Sequence, residues 1–126
     1  MVVDFEFEVG HLENGVWIPK KLDIDGRVDI KFSVKNYTDD IITCVEPKFF
    51  PLDKDCRLLF CNFYFYQDRV MKINRRIYPH QTYSSFFENM WYNKNIVKVL
   101  LLYLDVAFLS GYRYSAETEK IYSINE

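Results

Sequence analysis

The chain has 126 residues, 49% of them hydrophobic and 27% charged, with a formal net charge of −2. That length suits one domain with its own core, and the apolar content excludes a disordered chain. Sixteen basic against 18 acidic residues argue against a general nucleic-acid binder, which needs a clear Lys/Arg excess.

In chain order, alternation dominates. Val3, Phe5, Phe7 and Val9 share one face while Asp4, Glu6 and Glu8 share the other, which predicts a half-buried strand. Gly10 to Gly15 reads as a turn cluster, and Val16-Trp17-Ile18 as a short strand stopped by Pro19. The clearest strand is Arg27 to Asn36, with Val28, Ile30, Phe32 and Val34 inward and Asp29, Lys31, Ser33 and Lys35 toward water. Asn36 to Asp40 carries turn chemistry. Ile41 to Leu52 is a further strand, expected at an edge or bulged because Pro47 and Pro51 lack a ladder donor.

After a turn at Asp53-Lys54-Asp55, Leu58 to Met71 reads as a long strand, and Arg69 to Ile77 as its continuation or the next one. Tyr78-Pro79-His80-Gln81 breaks the run. Tyr83 to Glu88 is predicted as a short aromatic strand, Asn89 to Asn95 as a loop, and Ile96 to Phe108 as a central strand covered on both faces. Ser110-Gly111 turns into Tyr112 to Ser115, Ala116-Glu117-Thr118 breaks the pattern, and Lys120 to Ile124 closes the sheet. Seven to nine short strands without a sustained helical stripe predict an all-β chain, an immunoglobulin-like β-sandwich in a single domain spanning residues 1–126. The Cys…Trp…Cys signature of antibody domains is missing.

The first residues, MVVDFEFEVG, lack a basic region ahead of an apolar one, so they do not read as a signal peptide, and no apolar window is long enough for a transmembrane helix. A cytoplasmic setting is expected, a secreted mature form being the alternative. Three cysteines, Cys44, Cys56 and Cys61, favour reduced thiols over a disulfide framework, with a Cys56–Cys61 bridge left open.

Two stretches carry a more specific likeness. The first is Phe32 to Ile42, with its Asn36-Tyr37-Thr38 turn, followed by Phe49-Phe50-Pro51-Leu52-Asp53. The second is Tyr78-Pro79-His80-Gln81 through Glu88-Asn89-Met90-Trp91-Tyr92-Asn93-Lys94-Asn95-Ile96, leading to Tyr103-Leu104-Asp105 at the expected end of the long strand. Together, across residues 27–109, they resemble a bacterial immunoglobulin- or fibronectin-like β-sandwich family of unknown function, marked by an Asn-x-Thr turn and a Trp-Tyr-Asn loop. Its Pro-Tyr-Asn is Pro51-Leu52-Asp53 here, His80 replaces the glycine after its second proline, and Asp105-Val106-Ala107 replaces its Asp-Gly turn. The resemblance implies a sandwich fold and no known catalytic residues.

Little in the chain spells catalysis. There is no CxxC, no paired histidine and no glycine-rich phosphate loop. Cys44, Cys56, Cys61 and His80 are the candidate metal ligands, and Asp53 and Asp55 could hold a cation only weakly. His11 and His80 both fall at predicted turns, so a Cys–His pair would have to form by tertiary convergence. No cofactor and no enzymatic activity are expected.

Aromatic residues make up 18% of the chain, and they mark its most suggestive surface. Phe32, Phe49, Phe63, Phe65, Trp91 and Tyr103 suit a core, which leaves Tyr64 and Tyr66 on the outer side of their strand. Arg69, Lys72, Arg75 and Arg76 form the one basic cluster beside them, and Tyr83, Trp91 and Tyr92 could extend the surface. The expected function is therefore a non-catalytic module that binds a protein partner through Tyr64, Tyr66, Arg69, Lys72, Arg75, Arg76, Tyr83, Trp91 and Tyr92. A homodimer is one form of this. The alternatives are a carbohydrate-binding module stacking sugars on Trp91, Tyr92 and Tyr66, and, behind it, a single-stranded nucleic-acid binder.

Overall fold

Alternating side chains become alternating burial in the computed structural model, which describes residues 1–62 and 67–124. Eight strands are present among them: β1 (Val3–Glu13), β2 (Val16–Pro19), β3 (Arg27–Asn36), β4 (Ile42–Leu52), β5 (Arg69–Val70), β6 (Thr82–Tyr92), β7 (Lys98–Phe108) and β8 (Arg113–Ser123). They form two antiparallel four-stranded sheets, ordered β2-β1-β3-β6 and β5-β4-β7-β8. No described segment is a helix, so none is long and apolar enough to cross a membrane.

The sheets face each other across a core of rings. Phe49, on β4, meets Phe7 at 5.4 Å and Phe32 and Phe87 at 6.2 Å, so one ring of the second sheet is seated among three of the first. These contacts are edge-on, the arrangement the ring quadrupole favours. Val28, Ile30, Phe32 and Val34 of β3 all point into this core, as their alternation predicts.

Asp29 breaks the expectation that the other face of β3 meets water, for it is fully buried. The β1–β3 ladder ends at Gly10↔Asp29, and beyond it the β1–β2 hairpin continues alone. Its two-residue turn, Asn14-Gly15, has positive φ at both positions (51° and 78°), the signature of a type I′ hairpin. Thus β1 runs through what reads as a turn cluster, and Gly10 serves close approach: a Cβ there would lie 2.1 Å from the Ile18 carbonyl oxygen.

The hairpin folds over the outer surface of its own sheet. Three strand spacings, about 14 Å, separate β2 from β6 within the sheet, yet the rings of Trp17 and Phe86 lie 5.6 Å apart. Asp29 is roofed by this fold.

Pro47 and Pro51 sit in a bulged strand, but not at a sheet edge, because β4 lies between β5 and β7. Their carbonyls accept from Met71 and Leu59, on the side away from β7. In an antiparallel ladder the N–H and C=O of one residue face the same neighbour, so the missing donors also face that irregular side.

The long strand expected over Leu58 to Met71 is not formed by its described part. Leu58 makes one isolated bridge to Leu52, and regular pairing is confined to β5. Beyond it, Ile73 and Ile77 bridge to Val45 and Ile42. The segment meets β4 at Arg69 and Val70, at Met71 through its N–H on the Pro47 carbonyl, at Ile73 and finally at Ile77. These partners keep the β5 register as far as Ile73, and the pairing lapses before Ile77.

Three further boundaries differ. Residues 89–92 belong to β6, not to a loop; Asn89, at φ 57°, sits in the β-bulge that interrupts the period between Val28↔Trp91 and Ile30↔Phe87. Asp105 does not end its strand, since β7 continues to Phe108, and only one of its faces is buried while the other is half-exposed. The break expected at Ala116-Glu117-Thr118 is a bulge in one continuous β8, with Glu119 at φ 45°.

Buried Asn36 closes the end of β3. Its Nδ2 donates to the carbonyls of Asp40 (2.7 Å) and Ile77 (3.0 Å), while its Oδ1 accepts from the Thr38 N–H (2.9 Å) and hydroxyl (2.7 Å). The Asn-x-Thr turn is thus a clamp joining both sheets.

Candidate functional site

The basic cluster lies on the connection that runs along β4, where it meets the β6 edge of the other sheet. Arg75 stacks on the Tyr83 ring, with its guanidinium carbon 4.9 Å from the centroid. Arg69 donates to the carbonyls of Met90 (3.2 Å) and Asn89 (3.4 Å), so it fastens the connection to the β6 bulge. Lys72 pairs with Glu46 at 3.5 Å, and Arg76 is exposed.

Trp91 does not belong to this surface. It is fully buried, and its Nε1 donates to the Gln67 carbonyl at 2.6 Å. Across the bulge Trp91 pairs with Val28 and shares its inward side, so the ring enters the core. Tyr92 is half-buried, and its hydroxyl donates to Asn89 Oδ1 at 2.9 Å. Tyr64 and Tyr66 lie outside the described residues. Of the predicted surface, the structure brings together Arg75 with Tyr83, while Arg69 and Tyr92 both bond to Asn89, farther along β6, and Lys72 pairs with Glu46 of β4.

Apolar side chains missing from the sequence-based site flank this basic set. Leu58 (46% exposed), Phe60 (53%), Val70 (48%) and Tyr78 (50%) fall on the same connection between β4 and β6. Alternation about an outward Tyr64 and Tyr66 already places Leu58, Phe60 and Val70 on the same outward face, so the strand pattern carried the signal for them.

A second polar centre, also missed, lies under the hairpin. Asp29 Oδ2 accepts from the Leu12 N–H (2.8 Å) and Arg27 Nη2 (3.2 Å), and its Oδ1 accepts from the Asn89 N–H (2.8 Å). Arg27 also donates to the Leu12 carbonyl and pairs with Asp23 at 3.5 Å. Beside this network is a cavity of about 720 Å³, lined by His11, Glu13, Lys21, Asp23, Ile24 and Arg27 among others. His11 is buried inside β1 rather than exposed on a turn; its Nδ1 bonds the Lys21 carbonyl (2.5 Å), and its Nε2 lies 3.5 Å from Glu13 Oε2. Recognising Asn14-Gly15 as the turn would place His11 and Glu13 two residues apart on one strand face.

Among the described residues no three His, Cys, Asp or Glu side chains cluster as metal ligands. All three cysteines are free thiols: Cys61 buried, Cys44 half-buried and Cys56 exposed. Burial, followed by the nearby Glu46 charge, pushes the Cys44 thiol up from its ordinary value. His80 is exposed, 3.8 Å from Asp39. Asp53 accepts from the Asp55 and Arg57 N–H groups (2.8 and 2.9 Å), and the Arg57 bond leads in holding its carboxyl below the usual range.

No protein-family model matches the chain, and no curated protein matches its sequence. Solved structures do. The protein solved as Northeast Structural Genomics Consortium target SoR45 superposes with a TM-score of 0.62 at 9% identity, covering 98% of this chain and 86% of its own. A Bordetella pertussis protein solved under the name ApaA gives 0.57 at 9% identity, covering 98% and 94%. Over nearly the whole chain, these likenesses show a shared all-β fold.

Proposed function

We propose that this chain is a non-catalytic interaction module of immunoglobulin-like topology whose partner is another protein. The strand order supports the topology: β3 pairs with β6 and β4 with β7, two non-consecutive pairings that make the chain cross between the sheets. The observation that carries the function is the connection between β4 and β6. It exposes Leu58 and Phe60 at the Asn93 end of β6, Val70 midway, and Tyr78 with Arg75, Arg76 and Tyr83 toward the opposite end. A strip of exposed apolar side chains interspersed with arginine and tyrosine has the composition of a protein interface. A sugar-stacking surface built on Trp91 has no support, because that ring is in the core.

The test is affinity capture with the wild-type chain and with a Phe60→Ser, Val70→Ser, Arg76→Glu variant, after matching their melting temperatures. A partner identified by mass spectrometry should be retained by the wild type and lost by the variant. Equal recovery by both proteins, or binding only to a glycan array, would overturn the reading.

A further inference from the structure

His11 and Glu13 present a local conflict. The ring is 4% exposed, and its Nδ1 is 2.5 Å from the Lys21 carbonyl oxygen, a group that only accepts. Nδ1 therefore carries the proton, and in the neutral ring Nε2 is left with a bare lone pair. That lone pair faces Glu13 Oε2 at 3.5 Å, so acceptor opposes acceptor. Something positive belongs between them, either a proton on Nε2 or a cation shared by both atoms.

The geometry points to the cation. We propose that His11 Nε2 and the Glu13 carboxylate form a binding site for a divalent transition metal of the Zn²⁺ class. Imidazole and carboxylate donors at roughly 2.0–2.2 Å from one tetrahedral ion stand about 3.4 Å apart, close to the 3.5 Å observed. The nitrogen donor selects against Ca²⁺ and Mg²⁺, which take oxygen. The carbonyl bond at Nδ1 is the outer contact that orients a ligating histidine. Both residues line the cavity of about 720 Å³ under the hairpin, so water or a small ligand can fill the remaining positions. With two protein ligands, the site is an open one. His80 and Asp39 make a similar pair at 3.8 Å, but both side chains are exposed (65% and 103%), and nothing fixes that ring.

The test is calorimetric titration of the metal-free chain with Zn²⁺, together with ¹⁵N NMR of the histidine rings. One Zn²⁺ should bind per chain and shift the His11 Nε2 resonance. Glu13→Gln, at a solvent-facing position that tolerates the change, should weaken binding roughly tenfold or more. His11→Asn should abolish binding, and His80→Gln should leave it unchanged. The proposal fails if Zn²⁺ gives no heat, if Glu13→Gln binds as the wild type does, or if His80→Gln removes binding. It also fails if His11 keeps protons on both ring nitrogens in the presence of the metal, since a proton is then the bridge.

Discussion

Asp29 offers the sharpest perturbation. Its carboxylate is fully buried and receives three donors: the Leu12 and Asn89 N–H groups, each at 2.8 Å, and Arg27 Nη2 at 3.2 Å. Asp29→Asn keeps the shape but turns one oxygen into a donor. Whichever way the amide rotates, its NH₂ meets a backbone N–H that then has no acceptor, at about 1–3 kcal/mol. The charge-assisted bond to Arg27 also weakens, although Arg27 keeps Asp23 and the Leu12 carbonyl, and its side chain is 23% exposed. The sum is about 3 kcal/mol for Asp29→Asn, and about 3–5 kcal/mol for Asp29→Ala, which leaves all three donors unmatched. Urea unfolding followed by circular dichroism should show a lower midpoint at unchanged slope. Hydrogen exchange should show lost protection at the Leu12 and Asn89 amides. A loss under about 1 kcal/mol, or unchanged protection at both amides, would refute the account of the hairpin as held down by this carboxylate.

Gly10→Ala should destabilise by about 3 kcal/mol, the upper end for overpacking, because the added Cβ meets the backbone of Ile18 and Pro19 at 2.1 and 2.9 Å; thermal melting measures it. Iodoacetamide followed by peptide mass spectrometry should label exposed Cys56 first, then Cys44, whose thiol is held up by burial, and Cys61 only on unfolding. The Ser110 hydroxyl, the leading cause, holds the Asp40 carboxyl below its ordinary value. Its folded value is depressed, so this contribution to stability is present at neutral pH and is lost as pH falls through the folded value. In ¹³C-carboxyl NMR titration, Ser110→Ala should move Asp40 back up toward the ordinary range.

Pure alternation made β3 legible to the residue, and the inward set Val28, Ile30, Phe32 and Val34 followed from it. Legibility failed wherever the period was interrupted. The Asn89 bulge makes Met90 and Trp91 fall out of phase with Tyr83 to Phe87, so the end of β6 imitates a loop. Gly10 signals a turn by composition, yet it acts through the absence of a Cβ beneath the returning hairpin. Asp29 has the phase of a solvated residue and becomes buried only because the chain folds back over it, a fact no local window contains. The basic cluster was visible as charge. Which of its members are free to meet a partner depends on Asn89, Met90, Glu46 and Tyr83, all distant in sequence.

The Asn36 clamp bears on where this chain can mature. Asn36-Tyr37-Thr38 spells the acceptor tripeptide for N-linked glycosylation. In the folded chain both amide hydrogens of Asn36 are already donated, to Asp40 and Ile77, and the residue is buried. A glycosyltransferase therefore meets this amide only before folding, and a glycan attached then would stand where the two sheets are joined. Passage through a glycosylating secretory route would set modification and folding in direct competition at one nitrogen atom.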